Sequence, residues 1–283
     1  MKESARDWLV PVALVSLVMA LAIGLYWLYT NVWLGPGASS SAPTSVQAPA
    51  APPPAAESAI KFPLPGEAPQ VAMEQAPAVP PEEALAAFSK DLAALADAAA
   101  IARFFGTEAL VRRIVATADN LGSDAVSMKV RAVVGTPGTV VVRADGDAFV
   151  LDPSNARRYE PFVQFVESVD TRRATELYRR HYRLFQGEYR GQGSPDRYFN
   201  DRLVASIDHL LATPDVRGPV RLVQPRVLYR FEDPALEALS AGQKAMIRIG
   251  PDNAARLKVK LRAVRAELVR QGRDARLDAA ASR

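Results

Sequence analysis

The sequence predicts a mainly α-helical protein: one N-terminal transmembrane helix, a proline-rich linker and a single helical C-terminal domain carrying a small β-hairpin or meander. Three observations predict it. Residues 9–30 are uncharged and nearly all apolar, residues 35–81 hold 12 of the 22 prolines, and from residue 82 onward helix-start signals recur with a single region of strand-like alternation.

The first segment, residues 1–34, contains LVPVALVSLVMALAIGLYWLYT at residues 9–30. At about 1.5 Å per residue this run covers roughly 33 Å as a helix, enough to cross the hydrocarbon core. Trp8 stands at one end, and Tyr26, Trp27, Tyr29 and Trp33 at the other, where amphipathic rings prefer the interface. Lys2 and Arg6 precede the run, and no Lys or Arg follows before Lys61. The positive-inside bias therefore leaves the N-terminus in the cytoplasm and exports the rest, which for a bacterial cell would mean a single pass of the inner membrane with the domain in the periplasm. A cleaved signal peptide with Ala20 and Ala22 at its processing site fits less well, because the apolar run continues through bulky aromatics past that point.

Residues 35–81 are mostly Pro, Ala and Ser. Such a composition buries too little apolar area to repay its ordering entropy, so a flexible spacer is expected. Residues 82–271 form the expected folded domain, and a polar, frayed tail is expected over 272–283.

Within the domain a helix is expected over about 82–99, and another from Thr107 as N-cap, with Leu110, Val111, Ile114, Val115 and Ala118 on one face. Residues 127–151 carry the β signal: Met128, Val130 and Ala132 alternate with Lys129 and Arg131, and the Asp145-Gly146 pair splits two later apolar runs. Three later helix starts pair an N-cap residue with proline: Asp152-Pro153, Ser194-Pro195 and Asp233-Pro234. Ser240 and Gln243 have capping-box spacing, and a last helix is expected over about 252–271, with Leu257, Leu261, Val264 and Leu268 as its stripe.

Composition excludes several kinds of chemistry. The 283 residues include no cysteine and only two histidines, His181 and His209. A thiolate zinc site, an iron–sulfur cluster, a cysteine nucleophile and a multi-histidine metal centre are all excluded. No nucleotide-binding loop, nucleophile elbow or H-E-x-x-H occurs, and no cofactor is expected. A net charge of +4 is too mild to indicate nucleic acid, which is not an expected partner.

Two polar groups stand out. In the Arg-rich stretch 172–202, Arg172, Arg179, Arg183 and Arg190 fall on one stripe of a continuous helix, with Tyr178, Tyr182, Phe185 and Tyr189 lining another side. The aromatic side belongs in the core. The arginine stripe is either a solvated face, partly neutralised by Glu176 four residues before Arg180, or a grip for an anionic or protein partner. The next helix, 195–212, carries Tyr198, Asn200, Asp201, Arg202, Asp208 and His209. Asn200 lies on its apolar face and must pin neighbouring backbone or an arginine. Asp201 and Asp208 share a second side and, with Asp196, are the carboxylates an envelope-polymer hydrolase would use, unless arginines pair with them. His209 has no identifiable orienting group.

The blocks LYRRHYRLFQGEY, PDRYFNDRLVASIDHLLATP and VLYRFEDPALEALSAGQKAMIRIGPDNAARLK resemble the bacterial family catalogued as domain of unknown function 3014. The Asp119–Leu121 triplet and the Asp152-Pro153 start do so too, and the similarity runs from about Pro80 to Gln271. The resemblance implies the same layout of span, spacer and domain, and carries no activity or catalytic residue. The functional expectation is accordingly a membrane-tethered envelope module binding a protein or the anionic cell wall, with the hydrolase as its alternative.

Overall fold

The computed structural model describes residues 60–64, 80–127 and 129–281, with side chains of the last helix described through Gly272. These residues belong to one unit, Ala56–Arg283. The expected membrane span at 9–30 lies outside the described residues. Among the described residues no helix is long and apolar enough to cross a membrane.

The chain opens with α1 (Pro81–Leu95), which has proline in its first turn beside Glu82 and Glu83, where the helix dipole favours both. The helix expected over 82–99 stops here. Asp97 takes the Ala100 N–H at 2.9 Å and starts a separate α2 (Ala98–Phe104). In α3 (Leu110–Asn120) the expected apolar face is the one that packs: Val111, Val115 and Ala118 are buried, with Leu110 and Ile114 beside them. Its start is not capped by Thr107, because Ala109 turns in at φ 50 immediately before Leu110.

The hairpin is present as β1 (Val142–Asp145) and β2 (Ala148–Leu151), paired antiparallel with Asp145 opposite Ala148. Two short strands from far along the chain, β3 (Arg221–Val223) and β4 (Arg230–Phe231), extend it to a four-stranded antiparallel sheet in the order β1-β2-β3-β4. The alternation around Val130 forms no strand. Arg113 donates to the carbonyls of Glu108, Lys129 and Arg131, occupying acceptors that a neighbouring strand would use, and Val133 keeps a single bridge to Phe105.

After β2, Asp152-Pro153 does initiate a helical segment, as a 3-10 turn (Pro153–Arg158) leading into α4 (Glu160–Ser168). The Arg-rich stretch is two helices, α5 (Thr171–Arg180) and α6 (Tyr182–Gly191), broken at His181 with φ −105 and ψ 18. The break is held from outside: Asp91 of α1 accepts from Arg180 at 3.0 Å and pairs with His181 Nε2 at 2.9 Å. Next comes α7 (Phe199–Leu211), which begins four residues after Pro195 because Gln186 claims the Arg197 carbonyl and the Phe199 N–H, keeping Tyr198 extended. Asp233 and Ser240 cap α8 (Pro234–Glu237) and α9 (Ala241–Arg248) as expected. The last helix, α10, is Pro251–Ala281, so the segment read as a tail continues the helix.

Tyr178, Tyr182, Phe185, Tyr189, Tyr198 and Phe199 fill the centre of the core together with Val111, Val115, Val204, Ile207 and Leu268. Edge-to-face geometry, such as Tyr178 against Phe185 at 5.1 Å, suits their ring quadrupoles. Leu222, Phe231 and Ile247 make a second cluster beneath the sheet.

Candidate functional site

Every polar side chain that the sequence singles out between Tyr198 and His209 is engaged with another element, because α7 sits at the middle of the fold. At the start of α7, three polar groups within four residues hold residues 60–64. The Asp201 carboxylate accepts the Lys61 and Phe62 backbone N–H groups, both at 2.8 Å. Asn200 Nδ2 donates to the Phe62 carbonyl at 2.8 Å, and the Tyr198 hydroxyl accepts from the Leu64 N–H at 3.0 Å. Leu64 is 1% exposed and joins the main core, with Ile60 and Phe62 packed at its edge. This segment lies inside the stretch read as spacer, and it is a fixed strap.

The other wall of the strap is α10. A Cβ on Gly272 would stand 3.1 Å from the Pro63 carbonyl oxygen and 3.3 Å from Phe62 Cα, so a larger residue would push the two backbones apart by a few tenths of an ångström. One amide oxygen at this place has no donor: Asn200 Oδ1, on a residue with 0% exposure.

Further along α7, Arg202 grips Asp119 at its carboxylate (2.8 Å) and its carbonyl, and Ser206 Oγ donates to the Ala118 carbonyl at 2.6 Å. The Asp119–Leu121 triplet is therefore the docking point of α3. Asp208 is held in a two-pronged ion pair with Arg265 of α10. His209 Nε2 meets Ser240 Oγ at 2.7 Å, while that same oxygen accepts the Gln243 N–H to cap α9. Asp196 is exposed. The expected pairing of carboxylates with arginine thus holds for Asp208, and Asp201 captures backbone instead. Neither is left as a free acid or base.

A family model described as protein of unknown function (DUF3014) matches residues 110–265, more than half of the chain. The chain belongs to this family. The match takes in Tyr198, Asn200 and Asp201 of this DUF3014 domain, and leaves the strap and Gly272 outside it. No curated protein matches the chain. No solved structure matches it either.

In the folded DUF3014 domain the arginine stripe is divided between two helices. The break at His181 puts Arg172 and Arg179 on α5 and Arg183 and Arg190 on α6. Arg172 is exposed, at the rim of an open cleft of about 670 Å³ whose walls include Asp170, Lys260 and Glu267. Arg179 is paired with Glu176 at 2.6 Å, so Glu176 serves the residue three positions on, and Arg180 turns to Asp91. Hydrogen bonding to Arg179 holds the Glu176 carboxyl below its ordinary range. Arg183 is exposed, whereas Arg190 is half-buried with its Nε unpartnered. Among the described residues no group of three or more His, Cys, Asp or Glu side chains could hold a metal ion.

Sequence reasoning missed the strap, although its signal was present: Ile60, Phe62 and Leu64 alternate with Lys61 and Pro63, a period-two pattern inside proline-rich sequence. It also missed Lys258, whose buried ammonium donates to the Thr213 carbonyl and to Asp215 at 2.7 Å. A lone lysine on a helix carries no sequence signal for burial.

Proposed function

We propose that the protein is a non-catalytic, membrane-tethered module of the bacterial envelope. Residues 9–30 anchor it in the inner membrane, and the DUF3014 domain stands in the periplasm and binds a protein or anionic cell-wall partner. The observation that carries the non-catalytic reading is the use made of the polar residues on α7. Asp201, Arg202, Asp208 and His209 each fasten the domain to itself, through the strap, α3, α10 and α9 respectively. The apolar run, its aromatic flank and the Lys/Arg asymmetry support the tether. Exposed Arg172 and Arg183 support an anionic partner.

Reporters fused to the C-terminus test the location. Alkaline phosphatase, which needs an oxidising compartment, should be active there, and a fluorescent protein that matures only in the cytosol should be dark. The opposite pattern refutes the placement. Sedimentation with purified cell-wall sacculi tests the anionic partner. Binding should weaken with added salt and in Arg172→Glu/Arg183→Glu, and equal binding by wild type and variant removes these arginines from any interface.

A further inference from the structure

We infer that the clamp at the start of α7, walled by Gly272, is a binding site for a short bent peptide, that residues 60–64 fill it in cis, and that a segment of a partner protein displaces them. The inference specifies the protein partner of the preceding section and rests on that reading.

The contacts read backbone in preference to side chains. Asp201, Asn200 and Tyr198 together engage three N–H groups and one carbonyl of the strap, so the site asks for a backbone bent as residues 61 and 62 bend and is indifferent to most side chains. Side-chain selection falls to the socket that buries Leu64 and the shelf beneath Phe62. The resident segment does not exhaust the site. Asn200 directs Nδ2 to the Phe62 carbonyl and keeps Oδ1 buried without a donor. A buried acceptor without a donor is costly. The segment that suits this site best therefore offers what the strap lacks: a hydrogen-bond-donating side chain, of the Ser or Asn kind, at the buried position that Pro63 fills, since the Lys61 side chain is exposed. A second copy's strap brings the same residues and leaves the same Asn200 oxygen unsatisfied, which argues for a different partner. Fifteen residues, 65–79, join the strap to Pro80, so a displaced strap stays within about 50 Å of its site and competes at millimolar effective concentration.

The experiment uses the full chain in detergent with a specific protease site inserted after Gly66. Once cut, the N-terminal fragment is held only by the clamp. It should stay associated, leave on addition of excess synthetic peptide spanning residues 59–65, and leave faster from Asp201→Ala. In a panel of that peptide with Ser or Asn replacing Pro63, at least one member should displace the fragment at about a tenfold lower concentration. Three results overturn the inference: the fragment cannot be exchanged without unfolding the domain, no panel member outcompetes the native peptide, or the strap exchanges only between copies of the chain. None of these bears on the reporter or sacculus results, so the two readings fail separately.

Discussion

At the scale of single residues, Asp201 differs from the other acids of α7 in having no charged side chain as its partner among the hydrogen bonds it accepts. Its two backbone N–H groups are held by charge-assisted bonds, which are worth more than neutral ones. Asp201→Ala should lower unfolding stability by about 1–2 kcal/mol. It should also expose the Lys61–Phe62 bond, so that trypsin cuts there early in a limited digest read by mass spectrometry. A variant cut no faster than wild type would show that the carboxylate does not hold the strap. What could be read from the sequence at this scale was the burial of Asn200, which followed from its place on an apolar face. Its partner was out of reach, because Phe62 lies 138 residues away in a segment whose composition reads as spacer.

At the scale of elements, α9 lies so close to its neighbours that a Cβ on Gly242 would be 2.8 Å from Leu210 Cδ2 of α7 and 3.0 Å from the Leu121 carbonyl. Gly187, inside α6, has open space around it. The same substitution should therefore act in opposite directions. Gly242→Ala loses about 1–3 kcal/mol to overpacking, and Gly187→Ala gains about 0.5–1 kcal/mol from backbone entropy and helix propensity. Urea midpoints of the two variants check this, and movement in the same direction would contradict the packing. Helix faces were legible from periodicity, as α3 and the aromatic side of α5 and α6 show. Helix ends were less so. The break at His181 is fixed by Asp91, 90 residues earlier in the chain, and no local signal at His181 announces it.

At the scale of the molecule, α10 and the ion pairs around it gather the helices. Arg256 bridges Glu160 and Glu167 of α4, and Arg265 holds α7. Hydrogen bonds from Arg256 hold the Glu160 and Glu167 carboxyls below the usual range, and bonds from His181 and then Arg180 do the same for Asp91. A carboxyl depressed in the folded state contributes stability that is fully present above its unfolded pKa, near 4, and that is lost as pH falls through the folded value. The melting temperature should accordingly drop as the pH is lowered below about 4, and equal values at pH 6 and pH 3 would contradict this. The mainly helical class was legible from the whole sequence. The sheet was legible only by half, since β3 and β4 are too short for alternation to show and are recruited by the hairpin they complete. The strap lies ahead of α1 in the chain and is pinned to α7 beside α10. A mechanical pull arriving from the N-terminal side is therefore borne first by the Asp201 and Tyr198 hydrogen bonds at the centre of the fold, and the first turn of α1 is shielded from the load.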